Sequence, residues 1–101
     1  MQVAEELRQG LPMRVDELTV WTTVSAAGPV LLYTYRMDFN AEDERLAGFD
    51  DRIQQLITTG VCSTPGMVRT MGEGAEYEYH YRSMDNVLLA EFRVNAAACQ
   101  Q

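Results

Sequence analysis

Ala75-Glu-Tyr-Glu-Tyr-His-Tyr-Arg82 alternates without a break, with Tyr77, Tyr79 and Tyr81 on one side and Glu76, Glu78, His80 and Arg82 on the other. A period of two belongs to an extended strand with one face toward a core, because successive side chains leave a pleated backbone in opposite directions. The segment predicts a β-strand, and the rest of the chain is read by asking what pairs with it and what covers it. Ser83-Met84-Asp85-Asn86 has turn chemistry, and Val87 to Asn95 returns as the second strand of a hairpin.

Upstream, Leu18-Thr-Val-Trp-Thr-Thr-Val24 is rich in β-branched and aromatic residues, with Leu18, Val20 and Val24 on a common face. Ala26-Ala27-Gly28-Pro29 is a turn, since glycine tolerates positive φ and proline presets its own, and Val30 to Phe39 alternates again. These two strands predict an earlier hairpin. Between the hairpins Asn40 reads as an N-cap, followed by Glu42-Asp43-Glu44 where a helix dipole favours acids. Leu46, Phe49, Ile53, Leu56 and Ile57 recur at helical spacing, predicting a main helix over roughly 41–59 that Gly60 ends, with Gly48 inside it at a cost of ~1 kcal/mol relative to alanine. Thr64 to Met71 reads as a further short helix opened by Pro65, and residues 2–9 as another, stopped by Gly10 and Pro12. The expected fold is α+β: an antiparallel sheet of two β-hairpins in α-β-β-α-β-β order with helices packed on one face.

Val30-Leu-Leu-Tyr-Thr-Tyr-Arg-Met37 echoes Val87-Leu-Leu-Ala-Glu-Phe-Arg-Val94. The echo would make the chain two α-β-β halves, chance similarity of two short strands being the alternative. Shared parity puts Leu31, Tyr33, Tyr35, Met37 and Phe39 with Leu88, Ala90, Phe92 and Val94 on the expected helix-packed side. The other side carries Val30, Leu32, Val87 and Leu89, with Trp21 at the parity opposite Val20. Five such residues are too apolar for a plain solvent face, and contiguous apolar patches mark contacts, so this face is expected to form a homodimer or partner interface.

With 101 residues and 47% apolar composition, the chain is expected to form one domain, 1–101, around one core. Uninterrupted apolar runs such as Val30–Tyr33 are far short of a membrane span, and the start lacks the basic-then-apolar pattern of a signal peptide, so no membrane association is expected and the compartment stays open. Fifteen acidic residues face eight arginines and no lysine, a net charge of −7 that argues against nucleic-acid binding. The acids either keep the surface soluble or recruit a basic partner, as an inhibitor or immunity protein would.

Chemistry-bearing motifs are few. His80, the sole histidine, falls on the polar side of its strand and reads as a surface residue. Cys62, Cys99 and His80 are metal ligands by type, but nothing in their spacing gathers them. No phosphate loop, catalytic triad or paired catalytic carboxylates are present by pattern, so neither an enzyme nor a cofactor is expected. Tyr33, Tyr35, Tyr77, Tyr79 and Tyr81 form either the core itself or the lining of an apolar ligand pocket. Cys62 and Cys99 permit one disulfide in an oxidising compartment and two thiols in a reducing one.

Leu11-Pro-Met-Arg-Val-Asp-Glu-Leu-Thr19, the Tyr33-Thr-Tyr35 and Tyr77-Glu-Tyr79 hairpins, and Cys62 with Cys99 resemble a group of small uncharacterised bacterial proteins. That group has a Leu-Pro-x-x-Val-Asp-x-x-Thr start, two Tyr-x-Tyr hairpins and two cysteines. The resemblance implies a periplasmic or secreted setting and a Cys62–Cys99 disulfide, and carries no activity. The sequence thus favours a non-enzymatic protein-interaction domain.

Overall fold

A computed structural model describes residues 10–100. Five strands, β1 (Met13–Asp16), β2 (Thr19–Ala27), β3 (Val30–Met37), β4 (Glu76–Arg82) and β5 (Leu88–Val94), form one sheet in chain order. Two helices, α1 (Phe49–Cys62) and α2 (Pro65–Gly72), lie between β3 and β4, and single 3-10 turns occupy Glu44–Leu46 and Ala96–Gln100. The helix expected over residues 2–9 lies outside the described residues.

Both expected hairpins form, β2 with β3 and β4 with β5. They join through a parallel pair, β3 to β4, running from Val30 opposite Glu76 to Arg36 opposite Arg82. The sheet is therefore mostly rather than wholly antiparallel. The helical segment after β3 carries the chain back to the end where β3 began, which is what a parallel neighbour needs. The two echoed strands flank β4 on opposite sides.

β1 went unread in the sequence. All four of its residues are exposed, so no alternation of burial marks it. It is held by pairing with β2, by the Asp16 carboxylate accepting the Leu18 N–H at 2.9 Å, and by an ion pair from Arg14 to Asp38 at 2.9 Å. The main helix starts later than expected, at Phe49. Asp43 accepts the Arg45 N–H at 2.9 Å and closes a separate 3-10 turn, and Gly48 then adopts φ 69°, a left-handed conformation that no α-helix can pass through. It also ends later, running through Gly60 to Cys62, because Val61 is buried in the core and Cys62 is anchored. α2 begins at Pro65 as expected, with proline in the first turn where its missing N–H costs nothing.

The core is the tyrosine face of β4 and what touches it. Tyr77, Tyr79 and Tyr81 are buried with Leu31, Met37, Phe92 and Val94 of the neighbouring strands and with Phe49, Val61 and Met71 of the helices. Tyr35 stacks on Tyr81 at 4.8 Å and Tyr79 on Phe92 at 5.5 Å, arrangements worth about 0.5–1.5 kcal/mol each beyond area burial. A disulfide joins Cys62, at the end of α1, to Cys99 in the turn after β5, with Cα atoms 5.4 Å apart. It fastens the helix that covers β5 to the segment that follows that strand.

Candidate functional site: an apolar groove beside helix α1

Contacts of α1 are densest with β5, so its opposite flank stands away from the sheet at the β2–β3 end. Phe49, Ile53 and Leu56 follow one another at i, i+4 and i+7 along that flank. Leu18, Met37 and Phe39 supply the sheet side, and Arg45 and Arg52 the rim, of a groove of about 550 Å³. The floor is fixed: Phe39 meets Phe49 edge-to-face at 6.2 Å, Phe49 meets Tyr81 at 5.9 Å, and the Thr19 hydroxyl reaches the Met37 sulfur at 3.5 Å. Leu56 is 67% exposed, a large apolar side chain in water between Gln54, Gln55 and Thr58.

The rim is cationic in a chain of net charge −7. The Arg45 guanidinium lies 4.8 Å over the Phe39 ring and forms a two-pronged pair with Asp43, Nη2 to Oδ2 at 2.7 Å and Nε to Oδ1 at 2.9 Å. Those side-chain bonds, then the backbone N–H of Arg45, pull the Asp43 carboxyl down to about 2. Arg52 donates to the carbonyl of Arg45 at 2.9 Å and to that of Ala47, and among the described residues no carboxylate pairs with it.

The five residues of the expected interface do not come together. The β2 register shifts by one between Trp21 and Thr23, so Trp21 falls opposite Tyr35 and turns to the tyrosine face. It stacks there on Tyr33 at 5.4 Å and on Tyr35 at 6.2 Å. Val30 and Leu32 remain on the other face, half-buried, next to Glu76 and Glu78 of β4. Val87 is exposed at the far end of the sheet, and Leu89 packs against the core. The polar side of β4 separates the two pairs.

The tyrosines take the core alternative. Tyr77, Tyr79 and Tyr81 are buried and all five rings meet another ring within 6.2 Å, so the rings pack on one another. Burial, followed by the neighbouring Tyr77, raises the Tyr33 phenol to about 12, and burial above all raises Tyr35, Tyr79 and Tyr81 as well. These four phenols stay protonated at ordinary pH and serve as packing groups. The disulfide removes Cys62 and Cys99 from metal or nucleophile chemistry with His80. The groove itself was missed in the sequence because Leu56 reads as one more core position of an amphipathic helix. A signal was present in the polar residues on both sides of it.

No family model matches this chain, and no curated protein matches its sequence. Solved structures share its fold. A protein described as secreted, from Pseudomonas aeruginosa, superimposes with a TM-score of 0.85 over 97% of this chain and 87% of its own, at 23% identity. The pilotin EpsS of the Vibrio vulnificus type 2 secretion system gives 0.84 over 99% and 87%, at 17% identity. The type II secretion system pilotin AspS of Vibrio cholerae gives 0.77 over 97% and 86%, at 16% identity. At these identities the likeness is one of fold.

Proposed function

We propose that this chain is an exported, non-enzymatic binding domain of pilotin type that holds an amphipathic helix of a partner protein in the groove beside α1. The observation that carries this reading is Leu56 with Ile53 and Phe49, an apolar row left open along a helix flank and continued by Leu18, Met37 and Phe39 on the sheet. A groove of this size and composition receives a helix through apolar anchors at i, i+3 or i+4, and i+7. Arg52 at the rim favours carboxylates flanking those anchors. Two further facts support the setting: the disulfide is stable only where thiols are oxidised, and pilotins of secretion systems share the fold. Kinship with the two-cysteine bacterial group belongs to the same reading.

Leu56→Glu is the direct test. Leu56 is mostly in water, so the variant keeps the fold while placing a charge in the groove. Affinity capture from envelope extracts of the native host is expected to retain a partner on the parent chain and on Thr23→Glu, an exposed change on the opposite face, and to lose it with Leu56→Glu. Equal capture by all three chains would refute the assignment of the groove.

A further inference from the structure

We infer that the polar face of the sheet carries a binding site for one zinc ion or a similar borderline divalent metal, formed by Glu78, His80 and Glu91. The placement follows from strand geometry. Glu78 and His80 are two residues apart on β4 and so share a face, and the antiparallel register sets Glu91 of β5 directly across from His80. The three side chains converge. His80 Nε2 lies 2.8 Å from Glu78 Oε2 and 3.3 Å from Glu91 Oε1.

Those separations match the spacing of ligands around one ion. An ion with bonds of about 2.0–2.2 Å holds adjacent ligand atoms about 2.8–3.6 Å apart, from a right angle to a tetrahedral one. Both spacings to His80 fall within that range and the three ligand atoms all lie within 4.8 Å of one another, so an ion enters between them by side-chain rotation with the strands unmoved. The ligands stand on paired strands rather than a loop, which fixes them before an ion arrives. His80 and Glu78 are four-fifths or more buried, whereas Glu91 is 54% exposed and leaves a route from solvent.

Arg93 completes the arrangement from outside. Its Nε donates to Glu78 Oε1 at 3.0 Å and its Nη1 to Glu76 Oε1 at 2.8 Å. Glu78 is thereby held by one oxygen, with the other turned to His80, the way outer partners orient metal-binding carboxylates. Arg82, two residues beyond His80, does not compete, since it donates to the Asn86 carbonyl at 3.1 Å. Glu76, Glu78 and Glu91 share this face with the guanidinium groups of Arg93 and Arg82, so the carboxylates are in excess, and Arg93 pairs with Glu76 and Glu78 but leaves Glu91 to a cation. One imidazole and two carboxylates leave at least one position for water, and they suit zinc, nickel or cobalt better than calcium, which prefers oxygen alone.

Equilibrium dialysis of the oxidised chain against zinc chloride at near-neutral pH tests this. One zinc per chain is expected, with His80→Gln and Glu91→Gln each weakening uptake at least about tenfold and Thr59→Ala, an exposed change on α1, leaving it unchanged. The His80 ring resonances, followed by NMR in the parent chain, are expected to shift as zinc is added. Full uptake by His80→Gln, an unshifted imidazole, or no uptake at millimolar zinc would overturn the site. The site faces away from the α1 groove, so none of these results bears on partner binding there.

Discussion

Replacing both Cys62 and Cys99 by alanine should lower stability far more than either side chain's packing suggests. The bridge closes a loop with a sequence separation of 37. In the chain-entropy account, a loop of that length removes about 13 cal/mol/K from the unfolded ensemble, or about 4 kcal/mol at room temperature. A domain of this size unfolds with an entropy of about 0.2 kcal/mol/K, so the loss corresponds to a fall in Tm of about 20 °C. Replacing both residues avoids a lone thiol, and comparing the variant with the parent chain in reductant separates the bridge from the side chains. Thermal melts followed by far-UV circular dichroism should give the same lowered midpoint for the variant and the reduced parent. A fall of less than about 5 °C in both would refute the claim that the bridge between α1 and the segment after β5 is a main support of the fold.

Gly48→Ala should cost about 1–2 kcal/mol, because φ is 69° there and an added Cβ would approach Arg52 Nη1 to 3.2 Å. A lowered urea midpoint checks this, and an unchanged midpoint contradicts the strained entry to α1. Stability should also fall in acid. Asp43, held at about 2 from an ordinary 3.8 by Arg45, together with Asp38, Glu78 and Asp85, whose carboxyls are also lowered, favours the folded state above its unfolded value. That contribution disappears as pH drops from about 4 toward 2, and Tm measured across this window should decline, with Asp43→Asn flattening part of the slope.

What could be read from residue order differs from element to element for physical reasons. The alternation of Glu76 to Arg82 is a local property, so the strand and its buried tyrosine face were legible in it. The face of Trp21 was not, because a single-residue bulge at Thr22 reverses the parity of everything before it and leaves no mark in composition. The start of the main helix was misplaced because Asp43 has two uses for its carboxylate, a helix first turn or a local cap, and only the left-handed Gly48 decides between them. The parallel junction of β3 and β4 depends on where the helices deliver the chain, which strand order alone does not specify. For the sites, the same distinction holds. Leu56 carries the periodicity of a core residue, and its exposure depends on how α1 sits over the sheet. The alternation puts His80 on the polar side, but its meeting with Glu91 is a matter of hairpin register.

Site-specific photo-crosslinking from position 56 in the native host identifies what occupies the groove beside α1. With a benzoylphenylalanine in place of Leu56, one adduct is expected, mapping by mass spectrometry to an amphipathic helical segment of an envelope protein, and the same probe at Thr23 should not produce it. No adduct from position 56, or the same adducts from both positions, would contradict the account.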